Sequence, residues 1–269
     1  MIRPLQEADL PAAAALLMQD APHNLYLLGN LETLGLHDPI SAFWGDFGAD
    51  GALRGVVNRY MVNWGLYGAP EADWPALAGV IDRAPDAARL QDNPGGLPSV
   101  LPLLRRYRAA KLSEEELMRL DGADFRPQPP PAGVEVRRAT LDDLPALAAH
   151  YRDAGSMSRS PLGVERPLRD TQVWVALEQG QVSASALTNA ETRALGMVGG
   201  VYTLPARRGR GLAQAVWSAL CAALLAAGKL PVLYWENPAA GAAYRRLGFR
   251  PVGRWRSVWL EERVTSQSE

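Results

Sequence analysis

The spacing of hydrophobic positions changes repeatedly along the chain. Val173 to Leu177 and Val182 to Leu187 alternate from side to side around Gln179-Gly180, a period of two that predicts a β-hairpin. Leu195 to Thr203 continues the series as another strand. After a glycine-rich break, Leu212, Ala215, Val216, Ala219, Leu220, Ala223 and Leu224 recur at helical spacing, so a helix over 212–227 is expected, ending at Gly228. A compact apolar strand at Pro231–Trp235, a short helix containing Ala240 to Arg246, and an alternating strand from Val252 to Leu260 follow. With the strand and helix start before Val173, this half reads β-α-β-β-β-α-β-α-β.

The opening of that half has a counterpart at the start of the chain. Residues 2–15 lie over residues 136–149 at an offset of 134, and Arg, Asp, Leu, Pro and three alanines coincide. Each copy is a short strand followed by an Asp-Leu-Pro-Ala helix start, where proline is tolerated because first-turn amides have no acceptor within the helix. The segment Phe125-Arg-Pro-Gln-Pro-Pro-Pro-Ala-Gly133 between them favours an extended connector. The expected organisation is two domains of similar plan, 1–125 and 134–269, joined by a proline-rich linker at 126–133. In the first, Leu53–Asn58 and Tyr60–Leu66 read as strands, with a helix starting near 69–75.

Composition narrows the function classes. The 269 residues carry 28 basic and 29 acidic side chains, and a net charge of −1 offers no field for a nucleic-acid partner. A single cysteine, Cys221, excludes an internal disulfide, and with only three histidines no zinc-ligand spacing occurs, so no metal is expected. No apolar run reaches membrane-spanning length. Leu10 to Met18 resembles the apolar part of a signal peptide but follows Glu7 and Asp9 instead of a basic stretch. A soluble cytoplasmic protein without membrane partners is expected, as a monomer or homodimer.

The sharpest candidate chemistry is Pro205-Ala-Arg-Arg-Gly-Arg-Gly-Leu-Ala213, set between a strand and a long helix. Glycines at 209 and 211 allow successive amides to turn toward a ligand, and the helix N-terminus supplies partial positive charge, a combination suited to a diphosphate. A plain strand-to-helix turn is the alternative. Tyr244 is the candidate acid, a phenol with an ordinary pKa near 10 able to protonate a leaving group, the alternative being a core aromatic ahead of Leu247 and Phe249. As a proton acceptor, Glu191 is the best-placed carboxylate, against a solvated charge at a hairpin tip; His150 reads as a surface or packing residue, and water is equally open. Cys221 falls on the apolar face of the helix and reads as a buried, inert thiol.

These motifs together resemble the GNAT superfamily of acyl-CoA-dependent N-acetyltransferases. Arg208-Gly-Arg-Gly211-Leu-Ala213 resembles its R-x-x-G-x-G/A loop, and Asn237 to Phe249 its N-x-x-A-x-x-x-Y-x-x-x-G-F segment, with the glycine-rich line most similar to the glycine-acyltransferase-like branch. The resemblance spans about residues 134–260. It implies an α/β (α+β) fold of two tandem GNAT-like domains, each a mixed, mostly antiparallel sheet flanked by helices. It further implies that acetyl-CoA is the co-substrate, its pyrophosphate held by Arg208, Gly209, Arg210, Gly211, Leu212 and Ala213, with Val201, Tyr202 and Thr203 lining the pantetheine and Asn237 and Tyr244 completing the site. The implied activity is direct acetyl transfer to a small amine or amino-acid-like acceptor. A non-catalytic acyl-CoA-binding module and a protein N-acetyltransferase are the other readings.

The first half departs from this pattern. It has no Gly-x-Gly, and Glu71 and Asp73 stand where a pyrophosphate would need donors, so it is expected to bind no CoA and to shape the acceptor cleft instead. Trp44, Tyr60, Trp64, Tyr67 and the stretch His23–Asn30 are its candidates for lining such a cleft, with core packing as the alternative. A carboxylated acceptor would call for an arginine such as Arg159.

Overall fold

The computed structural model describes residues 1–92, 96–235 and 237–263, which form two compact units. The first comprises Met1–Leu117 together with the chain from Gly253 onward, and the second Met118–Val252. The division therefore departs from the expected one. The first stretch ends earlier than residue 125, and the final strand returns to the first unit instead of completing the second.

In the first unit the elements are β1 (Ile2–Pro4), α1 (Leu10–Met18), α2 (Leu25–Thr33), β2 (Ser41–Phe47), β3 (Leu53–Tyr60), β4 (Asn63–Gly68), α3 (Trp74–Asp82), β5 (Arg89–Asp92), α4 (Gly96–Val100) and β6 (Tyr107–Arg119), whose last two residues belong to the second unit. The closing strand is β12 (Arg250–Glu262), and the sheet order is β1-β2-β3-β4-β5-β12-β6. Neighbours pair antiparallel from β1 to β4 and at β5–β12, whereas β4 and β5 are parallel. Val56 and Val57 show why both sheet faces need helices. Adjacent in β3, both are fully buried, Val56 among α1 and α2 and Val57 among α3 and α4. Tyr60 ends β3 instead of opening β4, because the chain reverses just after it through Met61 in the left-handed region, at φ 53°.

The second unit runs β7 (Val134–Arg138), α5 (Leu144–Arg152), α6 (Pro161–Asp170), β8 (Val173–Glu178), β9 (Gln181–Glu191), β10 (Leu195–Thr203), α7 (Leu212–Ala226), β11 (Leu230–Trp235) and α8 (Pro238–Leu247). Its strands lie in the order β11-β10-β9-β8-β7. β8 divides its side chains as β3 does: Val173, Val175 and Leu177 pack under α5 and α6, while Ala176 meets α7 and α8. Helix α6, which holds Pro167 within it, is absent from the sequence reading. Ser160 starts it by accepting the Gly163 amide at 3.1 Å, with Pro161 in the first turn. The mixed, largely antiparallel sheet flanked by helices is the expected fold class.

The repeat is a structural one. Arg3 grips Asp9 through two hydrogen bonds of 2.6 and 2.9 Å, and Arg137, at the same offset, grips Asp143 through two of 2.8 Å. In each copy the same carboxylate accepts a backbone amide at 2.8 Å, from Gln6 or from Thr140, and so fixes the strand-to-helix turn. Arg3 and Arg137 hold these carboxyls below the usual aspartate range. The proline-rich segment is no free linker: Arg126 donates its amide to Leu247 O at 2.9 Å and Gln128 to Ser218 Oγ at 2.8 Å, both within the second unit. Among the described residues no helix is long and apolar enough to cross a membrane.

Candidate functional site

The site is built on a strand that loses its neighbour. β10 pairs with β11 in parallel only at Leu195–Leu230, Gly196–Pro231 and Met197–Val232, and beyond Met197 the two strands part. On its other side β10 follows β9, with irregularities after Met197 and between Gly199 and Tyr202. Gly199 and Gly200 are required there. A Cβ on Gly199 would overlap the Asn189 amide, and Gly200 combines φ +56° with Leu187 Cγ at 2.7 Å from a built Cβ. Among the described residues the parting leaves the β11-facing backbone from Val198 to Thr203 without a strand partner, and Thr203 Oγ1 is buried with no hydrogen-bond partner.

The loop follows directly. A single 3-10 turn at Pro205–Arg207 leads to Gly209 at φ +74° and Gly211 at φ +77°, the latter capping α7. Both glycines serve backbone conformation and not space, since a Cβ at Gly209 would meet nothing within 4 Å and one at Gly211 only Pro131 Cγ at 3.7 Å. Among the described residues no side chain caps α7, so its leading amides stay open to an anion. The arginines divide. Arg210 turns away to Glu178 at 2.7 Å, so its side chain is not aimed at a diphosphate, and Arg208 Nε braces the loop on Thr203 O at 3.2 Å.

The first unit has filled the equivalent amides with its own acids. Asp73 accepts the Ala76 amide at 3.0 Å at the start of α3, and Asp46, fully buried, accepts the Asp73 amide at 2.9 Å and is held by Arg54 at 3.0 Å. Burial pushes the Asp46 carboxyl up, but that amide and Arg54 outweigh it and keep the group below the usual range. Of its aromatic candidates Trp64 is buried and stacks on Trp44 at 5.8 Å, while Trp44 and Tyr67 are half-buried against the core and Tyr60 is half-buried at the end of β3. His23 is likewise buried and bridges Asp20 and Arg254 O at 2.9 and 3.0 Å.

Tyr244 lies on α8, 8% exposed, with its ring 4.8 Å from Trp217 and 5.9 Å from Phe249. Burial, with Cys221 nearby, pushes its phenol up to about 12, above the ordinary value assumed from sequence. The ring is part of the core, as the alternative reading had it, and the hydroxyl makes no hydrogen bond among the described residues. Asn237 starts α8, its carbonyl accepting the Gly241 amide at 3.1 Å. Val201 packs toward α7 and α8, whereas Tyr202 is buried on the opposite sheet face against His150. Cys221 is fully buried, which pushes its thiol up.

Glu191 is not where a base must be. It pairs with Gly196 near the beginning of β10, at the far end of the strand from the loop, and its carboxylate takes Lys229 at 2.6 Å and Thr188 Oγ1 at 2.7 Å. The sequence missed that Lys229 arrives just after α7 to neutralise it. His150 is also not a surface residue: it is buried, its Nε2 is 3.0 Å from Ser185 Oγ, and burial lowers its pKa to about 4. Ser185 in turn donates to Tyr151 Oη at 2.8 Å, and Tyr151 donates to Gly200 O at 2.5 Å. This chain props the irregular stretch of β10 from below. The signal was polar Ser183, Ser185, Thr188 and Asn189 within an otherwise apolar strand.

Comparison with known proteins agrees with this geometry. Residues 169–251 match the family described as Acetyltransferase (GNAT) domain. An uncharacterized N-acetyltransferase in the mutA 5' region of Streptomyces virginiae is 35% identical over 127 residues, 47% of this chain; the match spans about half of that relative, 53%. The fold is shared with a Drosophila protein (TM-score 0.73, 15% identity, 97% of this chain and 98% of that one). It is shared also with a tandem GNAT protein from the clavulanic acid biosynthesis pathway (TM-score 0.68, 15% identity, 99% of both chains). A third solved structure, a GCN5-related N-acetyltransferase from Sphaerobacter thermophilus, has a TM-score of 0.64 at 21% identity and covers 97% of this chain and 95% of that one. The glycine-acyltransferase-like branch finds no support among these relatives.

Proposed function

We propose that the second unit is an acetyl-CoA-dependent N-acyltransferase that acetylates the amine of a small, amino-acid-like acceptor by direct transfer in a ternary complex. The observation that carries this reading is the parting of β10 from β11 after Met197, immediately followed by a glycine loop that leaves the α7 amides uncapped. Backbone groups freed at Val201 and Thr203 suit the amides of a pantetheine arm, and the loop from Arg208 to Ala213 suits its diphosphate. Acetyl-CoA supplies an activated thioester. In the reaction the amine nitrogen bonds to the acetyl carbon as the carbon–sulfur bond breaks, the amine loses a proton, and the thiolate gains one.

Tyr244 is the proton donor to sulfur in this reading. A phenol raised to about 12 stays protonated at neutral pH, so donation is the role open to it. With Glu191 committed to Lys229, we assign loss of the amine proton to water. The first unit, whose helix amides are taken by Asp73, binds no CoA. An intracellular co-substrate and a free buried thiol fit a cytoplasmic setting.

Calorimetric titration with acetyl-CoA tests the reading together with an amine panel read by thiol release. One equivalent of CoA per chain is expected, with release dependent on the acceptor. Two equivalents would overturn the assignment of the first unit. Binding with no release across the panel would favour a non-catalytic CoA-binding module.

A further inference from the structure

On the α5–α6 face of the second unit, beside the glycine pair of β10, lies an arginine whose charge nothing in the fold neutralises. Arg159 Nη2 donates to Asn189 Oδ1 at 3.0 Å and lies 3.1 Å from where a Cβ on Gly200 would stand. Its guanidinium carbon is 5.7 Å from the centre of the Tyr151 ring, whose hydroxyl is tied to Gly200 O. The residue is half-buried, its Nε is fully covered and unpaired, and among the described residues no carboxylate is within ion-pair distance. The unit's other half-buried arginines, Arg119, Arg137, Arg166 and Arg207, each lie within ion-pair distance of an acid.

A guanidinium stays charged at any relevant pH, and a partly buried charge without a counter-ion is costly to keep. Here the geometry is held ready: Asn189, a neutral acceptor, uses one donor of five and orients the plane, while Tyr151 supports it from beneath. Gly199 and Gly200 are the backbone against which this group rests, at the place where β10 leaves β11. Extending the transferase reading, on which this inference rests, we propose that Arg159 binds the carboxylate of the acceptor, so that the substrate is a carboxylated amine. A carboxylate matches one guanidinium in charge and in planar, two-point geometry, whereas a phosphate dianion would leave excess charge at a site with one cation. Arg159 is then the specificity-determining residue, holding the amine within about one residue's rise of the opened strand.

The test pairs acids with their neutral amides, glycine, β-alanine and L-amino acids against the corresponding amides, with aminomethylphosphonate as a third arm. CoA release is measured for the full chain and for Arg159→Gln and Arg159→Lys, with calorimetric CoA affinity and melting temperature recorded for each. The wild type should prefer acids over amides by about 10- to 100-fold in kcat/KM, the range that hydrogen bonds to a charged group supply. Arg159→Gln should collapse that ratio toward one mainly through KM, while Arg159→Lys keeps part of it and both retain CoA affinity. A wild type without preference for acids, a preference for the phosphonate, or a ratio that survives in Arg159→Gln overturns the proposal. If amides are acetylated but acids are not, the carboxylate proposal fails and the transferase reading stands; if CoA does not bind, or binds with no amine acetylated, the reading beneath fails and takes the proposal with it.

Discussion

Two substitutions at Gly211 separate the strain of the loop from its electrostatics. The residue sits at φ +77° with open space around it, so Gly211→Ala adds no clash and costs only the left-handed conformation, about 1–2 kcal/mol. Gly211→Asp carries the same strain and also sets a carboxylate ahead of α7, reproducing what Asp73 does ahead of α3. Like unit charges about 4 Å apart repel by roughly 1 kcal/mol in water and roughly 4 kcal/mol at an effective dielectric of about 20. At an exposed loop the lower part of that range applies, about 1–3 kcal/mol, which weakens CoA binding about 5- to 150-fold beyond the alanine variant. Calorimetry with CoA at low and high salt measures the difference, and high salt should shrink it because the Debye length falls. Melting temperatures of the two variants should drop alike. Equal CoA affinity in both variants, or a deficit indifferent to salt, refutes the assignment of the diphosphate to this loop.

Tyr244→Phe keeps the ring against Trp217 and Phe249, so CoA affinity and melting should change little while turnover falls by about 10²–10⁴-fold; single-turnover kinetics at the wild-type rate would remove Tyr244 as the acid. Glu191→Gln breaks a half-buried ion pair with Lys229 and should cost about 1–2 kcal/mol in urea unfolding while leaving kcat unaltered, and a large fall in kcat with unchanged stability would reinstate it as a base. Asp9 and Asp143 titrate below their unfolded value of 3.8, so the stability they contribute is present above that pH and is lost as pH falls through the folded values. Asp143→Asn should therefore flatten the acid limb of stability against pH below about 4, and an unchanged limb would show that the Arg137 clamp is not linked to folding.

What the sequence disclosed was local. The hairpin over 173–187, helix α7 and the paired glycines follow from periodicity and backbone freedom that adjacent residues determine, whereas the arginine and aspartate that coincide at the offset of 134 became a pair of clamps only in the structure. Errors arose where distant residues decide the outcome. Glu191 looks like a hairpin-tip acid until Lys229 is placed beside it, and His150 stays open between surface and packing until Ser185 is brought under it. The same holds for the long strand β6, which no periodicity announced, since Arg108 to Leu112 in its first half are all exposed. Arg159 could be named as a candidate, but its lack of a counter-ion is a statement about every acid near it, which no single stretch of chain contains.

The return of β12 to the first unit sets an order of events in biosynthesis. Arg256–Trp259 pair with Arg89–Asp92, and His23 holds the carbonyl of Arg254, so the first unit needs chain from both sides of residues 118–252. At typical elongation rates the ribosome spends roughly ten seconds on residues 118–252, during which β5 waits without that neighbour. The second unit, made of one uninterrupted stretch, has no such wait. The second unit can thus close while the first is still unfinished, and removing β12 would damage the first unit more than the second.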